Sequence, residues 1–301
     1  SFVFLCRSME PSGLGVVDLA MLTAALLTVA FVLSIDPTLV LSFDRPDSIE
    51  KPVNCRIIPQ QPLRTITLIA ADPSRPRLWY APVGTFAAPN GTLIWYQRVD
   101  TDEKVFSDQR TLCLGVWQAN SWIMPPFREE SPAWGGPNNV VMRRSPKKPT
   151  WGGFNVFQIL WVNDHFEMLY WDQPEEGDAG LLRSSSPNGK DWSPPPPRAL
   201  FTERNDAFTV LSKEGRYLMY QTMLEDWPDK PYKDNLPQKR RVIGLRTFSD
   251  LDSWSPQEVL LRPDDQDPPE TEFYLFKAFP YRGAYVGLLM KYFADPEMPG
   301  V

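Results

Sequence analysis

Glu167-Met168-Leu169-Tyr170-Trp171, then Leu181-Leu182-Arg183-Ser184-Ser185, then Ser186-Pro187-Asn188-Gly189-Lys190-Asp191-Trp192, is the stretch whose reading decides the fold. It is an aromatic strand, a second strand and a short polar turn closed by a tryptophan. The unit recurs. Leu78-Trp79-Tyr80 and Leu93-Ile94-Trp95-Tyr96-Gln97 precede Asn120-Ser121-Trp122, and Tyr217-Leu218-Met219-Tyr220-Gln221 precedes Ser249-Asp250-Leu251-Asp252-Ser253-Trp254. The closing Trp returns every roughly 60–70 residues, a looser spacing than that of solenoids or WD40 arrays. Strands that repeatedly end in a polar turn and a packed Trp predict the blades of a β-propeller, an all-β fold. Such a fold carries its chemistry on the inner ends of its blades, so the repeat says where to look.

The composition agrees. The 301 residues hold 32 Pro against 17 Gly, which argues against long helices and for short strands joined by rigid loops. An all-β domain of this size buries a core large enough to need no disulfide. With a net charge of -6 the chain lacks the basic face of a nucleic-acid binder, so no nucleic-acid partner is expected. Arg143-Arg144 with Lys147-Lys148, and Lys239-Arg240-Arg241, read as solvated loops. Cys6, Cys55 and Cys113 fit no zinc or redox spacing, and Cys55 with Cys113 reads equally as a disulfide or as two buried thiols. His165 is the only histidine and reads as a surface loop residue; it leaves no room for a His-rich metal site. Asp264-Asp265-Gln266-Asp267 reads as a solvated acidic loop rather than a calcium site. No cofactor is expected.

Residues 14–35 are mostly apolar, with an uncharged core from Leu19 to Leu33. That length suits a signal-peptide core or a membrane anchor, although the basic flank is weak. Residues 1–35 are therefore expected to form a hydrophobic helix that exports or anchors the chain; a helix packed on the domain is the alternative. The expected location is periplasmic, extracellular or membrane-anchored. Residues 36–301 are expected to be the propeller.

Within it, a first blade runs from about Leu63 to Phe127, a second from Asn138 to Leu200 and a third from Phe201 to Leu261. A fourth begins near Thr271 and is half present, so about three and a half blades are expected before the sequence stops. Pro89-Asn90-Gly91-Thr92, Asn163-Asp164 and Lys213-Glu214-Gly215-Arg216 read as hairpin turns. Asp226 to Gln238, rich in charge and Pro, reads as an insertion over one face.

Further pieces are Asn138-Asn139, Arg204-Asn205-Asp206, Asp267-Pro268-Pro269-Glu270-Thr271-Glu272-Phe273-Tyr274 and Tyr285-Val286-Gly287-Leu288-Leu289. Taken in order with Trp95-Tyr96, Met168-Leu169-Tyr170 and the Ser186–Trp192 turn, they resemble the five-bladed propeller proteins related to the glycoside hydrolase clan of invertases and arabinanases. The resemblance covers about Ser42 to the end. It implies a carbohydrate ligand, a site in a central channel and a monomer.

Glycoside hydrolysis needs two carboxyl groups, one to protonate the leaving oxygen and one to activate water or attack carbon. The resemblance points to Asp206 and Glu272 as that pair. Asn138, Asn139, Arg204, Asn205 and Tyr274 would be the binding groups. A second-blade acid has no counterpart in Val156-Phe157-Gln158-Ile159-Leu160-Trp161, while Asp72 and Asp164 fall in turns. Arg204, Asp206 and Glu272 read alternatively as inter-blade salt bridges or strand-end caps, and three readings of function stay open: a hydrolase, a glycan-binding propeller without catalysis, and a scaffold whose partner is another protein.

Overall fold

The computed structural model describes residues 2–8, 31–34, 56–59, 69, 78–101, 108–124, 139–204, 207–213, 215–232, 234, 236–281 and 284–293. Among them the structure is all β, with no helix. The strands are β1 (Phe2–Ser8), β2 (Phe31–Ser34), β3 (Arg56–Pro59), β4 (Leu78–Ala88), β5 (Gly91–Thr101), β6 (Asp108–Gln118), β7 (Ser121–Ile123), β8 (Val140–Arg143) and β9 (Asn155–Val162). They continue as β10 (His165–Asp172), β11 (Gly180–Ser186), β12 (Phe208–Lys213), β13 (Arg216–Asp226), β14 (Lys239–Phe248), β15 (Glu258–Leu261), β16 (Thr271–Tyr281) and β17 (Ala284–Phe293). The expected N-terminal helix falls largely outside the described residues, which within 1–35 are the strands β1 and β2. No helix among the described residues is long and apolar enough to cross a membrane.

Two compact units divide these strands. In one, β4-β5-β6-β7 form an antiparallel meander and β9-β10-β11 a second. In the other, β12-β13-β14-β15 form a meander, and β17 pairs with β16 on one side and with β1 on the other. Up-and-down sheets of three or four strands are the form of propeller blades. The expected turns make them. Asn163 and Asp164 both adopt positive φ, 48° and 63°, the conformation a two-residue hairpin needs. Pro89 and Asn90 turn β4 into β5, and Gly215, at φ 75°, lies in the turn from β12 to β13.

Two expectations are corrected. Val140–Arg143, read as the opening of a second blade, pairs instead with β6 at Thr111–Cys113 and so completes the first sheet. Trp122 does not close a turn. Ala119 and Asn120, at φ 48° and 59°, form a hairpin, and Trp122 sits on β7 opposite Trp117. The other two Trp turns share one mechanism. Asn188 Oδ1 accepts the backbone N–H groups of Lys190 and Asp191, both at 2.9 Å, and Asp250 Oδ1 accepts those of Asp252 and Ser253 at 2.9 and 2.6 Å. A short polar side chain thus replaces a backbone acceptor and folds the turn locally. Trp192 then packs on the core of its unit, and Trp254 lies 4.0 Å from Phe248.

That first core gathers Trp95, Leu112, Leu114, Phe154, Phe166, Met168, Tyr170 and Leu182. Gly189 is its keystone in the turn: at φ 71° it offers its carbonyl to Trp95 Nε1 at 2.8 Å. Cys113 is a free, buried thiol, which settles the open reading of that residue, and burial pushes its pKa up to about 11. Cys55 lies outside the described residues.

Asp172, at the end of β10, is buried and accepts the N–H groups of Ser145 and Gln173 at 2.7 and 2.8 Å. Desolvation outweighs those bonds and pushes its pKa up to about 6. The folded protein therefore keeps a proton that the unfolded chain releases near pH 4. Asp172 favours folding most below that value, and the benefit is lost as pH rises to about 6. Between pH 4 and 7 the wild type is expected to lose on the order of 2–3 kcal/mol relative to Asp172→Asn, which does not titrate. Urea melts of both proteins across that range check it; parallel curves contradict it.

Candidate functional site

The candidate site lies in the unit of β12 to β17 and is built on the first residues of β16. Thr271 N bonds Pro268 O at 2.9 Å, a turn that delivers Glu272 into the strand. The register of β16 against β17 shifts between Phe273 and Leu275, a bulge. This resets the alternation, so Phe273 and Phe276, three residues apart, join the same core cluster with Tyr220, Ile243 and Leu289. The Thr222 hydroxyl donates to the Tyr274 carbonyl at the bulge. Glu272 is left opposite Tyr292 and fully buried.

A buried carboxylate needs donors. Glu272 has four. Lys230 Nζ and Tyr232 Oη reach Oε1 at 2.7 and 2.8 Å, while Arg241 Nη1 and the Arg241 N–H reach Oε2 at 2.5 and 3.3 Å. Asp234 adds a second carboxylate, 2.9 Å from Lys230 Nζ and 3.7 Å from Arg241 Nη1. The Lys230 and Asp234 side chains are each 3 % exposed, Arg241 6 % and Glu272 0 %. Two cations and two anions thus share one buried volume. The Arg241 guanidinium also lies over two rings, 5.4 Å from Tyr274 and 5.0 Å from Tyr292. Burial first, and then the Glu272 carboxylate, hold the Tyr232 hydroxyl well above the ordinary phenol range, so it remains a donor.

Lys230, Tyr232 and Asp234 come from the insertion between β13 and β14. The hairpin ladder ends at Asp226 opposite Lys239, and Trp227 N bonds Gln238 O at 2.8 Å. Lys230 Nζ ties the insertion to itself through the Leu236 carbonyl at 3.3 Å and to the start of β14 through the Lys239 carbonyl at 2.7 Å.

The residues expected at the site are placed as follows. Glu272 and Tyr274 come together around Arg241. Arg204 is exposed, and Asp206, Asn205 and Asn138 lie outside the described residues. Asn139 is buried in the other unit, where its amide donates to Tyr96 Oη at 2.7 Å and the Leu114 carbonyl at 2.9 Å. Those bonds tie the residue before β8 to β5 and β6. Arg241 corrects the sequence reading: it is no solvated loop residue but a buried member of β14. No local signal marks it, because its carboxylate partner lies 31 positions away.

A second buried carboxylate was also missed. Glu167 on β10 takes Arg183 in a bidentate pair, both bonds 2.8 Å, and His165 Nε2 at 2.7 Å. His165 is thus more than a loop residue. The Asn163 carbonyl first, and then Glu167, raise its pKa. Among the described residues no three His, Cys, Asp or Glu side chains gather as a metal site.

No protein-family model matches the chain, and no curated protein does. It is similar to solved structures of glycoside hydrolases. Zg3597 of Zobellia galactanivorans, a family 117 glycoside hydrolase, is 13% identical with a TM-score of 0.45, covering 71% of this chain and 63% of that one. The Bombyx mori GH32 beta-fructofuranosidase BmSUC1 is 14% identical with a TM-score of 0.44, covering 67% and 41%. A glycosyl hydrolase from Bacteroides ovatus is 14% identical with a TM-score of 0.35, covering 72% and 65%. This chain thus spans less than two thirds of the length of each.

Proposed function

We propose that this chain is a carbohydrate-acting protein of the five-bladed propeller type, and that its site binds sugar without hydrolysing it. The order of sequence pieces and the meander form of the sheets support the class. Saturation of Glu272 carries the second half of the reading. Both carboxylate oxygens are engaged by four donors, and the side chain has no exposed surface. A general acid must reach a glycosidic oxygen and a nucleophile must reach an anomeric carbon. Glu272 reaches neither while Lys230 and Tyr232 hold Oε1, and when they leave it Oε2 stays paired with Arg241, so the freed oxygen stands as a hydrogen-bond acceptor. The remaining chemistry is that of recognition: a carboxylate and a guanidinium hydrogen-bond vicinal hydroxyls, and tyrosine rings stack on sugar faces.

The hydrolase reading keeps one specific support. Glu272 stands at the head of β16, where the resemblance places an acid. A glycan array read alongside a hydrolysis screen on the same panel separates the two. Binding without turnover is expected. Turnover that disappears in Asp206→Asn while binding persists would establish the hydrolase instead.

A further inference from the structure

We infer that the segment from Trp227 to Gln238 is a removable cover over a ligand site formed by Glu272, Arg241, Tyr274 and Tyr292. Lys230 and Tyr232 hold the places on Glu272 Oε1 that a ligand's hydroxyl groups take.

The argument begins with length. The β13–β14 ladder is complete at Asp226 and Lys239, so a two-residue turn would close this hairpin. Twelve residues stand there instead, and long excursions from a tight ladder commonly serve as lids or binding loops. The hold of the cover on the sheet is largely polar. It includes the Lys230 and Tyr232 contacts with Glu272, the Lys230 bond to the Lys239 carbonyl of β14, the Asp234 contact with Arg241, and Arg240 4.8 Å from the Trp227 ring. Polar contacts of this kind are recovered in water when a segment opens, so such segments sit at the low-stability end of a fold.

Charge then decides where the cover parts from the sheet. Lys230 and Asp234 are both on the cover and neutralise each other at 2.9 Å. Glu272 and Arg241 are both on the sheet and neutralise each other at 2.5 Å. Opening therefore separates two neutral pairs and leaves no lone buried charge, the condition that otherwise makes breaking a buried network so costly. A lid that carried the sole partner of Glu272 would be locked shut. What opening exposes is a carboxylate whose Oε2 stays fixed by Arg241 and whose Oε1 loses two donors, beside two tyrosine rings. A polyhydroxylated ligand supplies those two donors and an apolar face. The identity of the ligand rests on the carbohydrate reading; the cover does not.

The test has two readouts. In the wild-type protein, hydrogen exchange followed by proteolysis is expected to show the cover opening at least about ten-fold faster than β13 and β14 beside it. In a variant with residues 227–238 replaced by Asn-Gly, Glu272 is expected to react with a water-soluble carbodiimide and amine at least about ten-fold faster than in wild type, read by peptide mass spectrometry. Should that variant fail to fold, Lys230→Gln combined with Asp234→Asn is read instead, since it weakens the hold while keeping the chain intact. Exchange of the cover only together with the strands, or Glu272 labelling unchanged in the folded variant, overturns the proposal. A glycan array on the same variant separates the two claims. Labelling gained together with glycan binding supports both; labelling gained with no glycan bound keeps the cover and removes the carbohydrate reading.

Discussion

Glu272→Gln is expected to lose about 3–5 kcal/mol of stability, although it changes a single atom. The amide keeps the shape of the carboxylate but brings no charge. Lys230 and Arg241, buried at 3 % and 6 % exposure, then lose a carboxylate that both contact and keep Asp234 as the one they share. The amide NH2 also points a donor at groups that are themselves donors. Removing one member of a buried ionic network strands the others, and that stranding is the source of the cost rather than any large net strength of the network. Lys230→Met and Asp234→Leu sharpen the point. Each alone leaves an uncompensated charge, whereas the double change removes a neutral pair. The double variant is expected to be more stable than at least one of the singles. Urea denaturation of the four proteins forms the cycle that measures this coupling. Additive single effects would show that the network is no unit.

Gly189→Ala is expected to cost about 2–5 kcal/mol, from two independent sources that sum at one atom. The backbone at φ 71° disfavours any L side chain. A Cβ there would also lie 2.4 Å from Trp95 Cζ2, and Trp95 is 1 % exposed and held by its own bond to the Gly189 carbonyl. The two sources can be separated. Gly189→Asn tolerates the left-handed conformation but still carries a Cβ, so it recovers only the backbone share. Adding Trp95→Phe to Gly189→Ala removes the ring atoms in the way and recovers part of the steric share. Chemical melts giving the same loss for Ala and Asn would assign the whole effect to the clash.

These two positions differ in how far they could be read from the chain alone. Gly189 stands in Ser186–Trp192, where Asn188 folds the turn with its own side chain and Trp192 follows at a fixed offset. The causes that fold this turn lie within seven residues, whereas the Trp95 ring that packs on Gly189 comes from 94 positions away. The hairpins at Asn163-Asp164 and Gly215 were legible for the same reason: a positive φ is demanded locally, and only a few residue types meet it. The strands themselves follow from aromatic and branched side chains packed on a pleated sheet.

Glu272 was legible as a residue to watch, but its surroundings were not. Lys230, Tyr232 and Arg241 approach it from 42, 40 and 31 positions away, and nothing in Lys239-Arg240-Arg241 says which cation turns inward. Arg240 pairs with Glu225 near the end of the β13–β14 ladder, and Arg241, one residue on, is buried. Strand alternation explains the opposite directions, but the choice between them depends on which face meets β16. The placement of β8 failed in the same way. Val140-Val141-Met142 suits any sheet edge, and only the register with Thr111–Cys113 assigns it to the first.

The sequence by itself therefore determined the all-β character of the described residues, most of the strands from β4 onward, most of the turns and the packing role of Trp192 and Trp254, because each rests on side chains within a few positions of one another. The tertiary structure alone decided that Glu272 is saturated, that Arg241 is its anchor and that the insertion between β13 and β14 covers it. Charges of opposite sign meet where chain topology brings them, and their desolvation, which decides whether a carboxylate can react, exists only once the strands have packed.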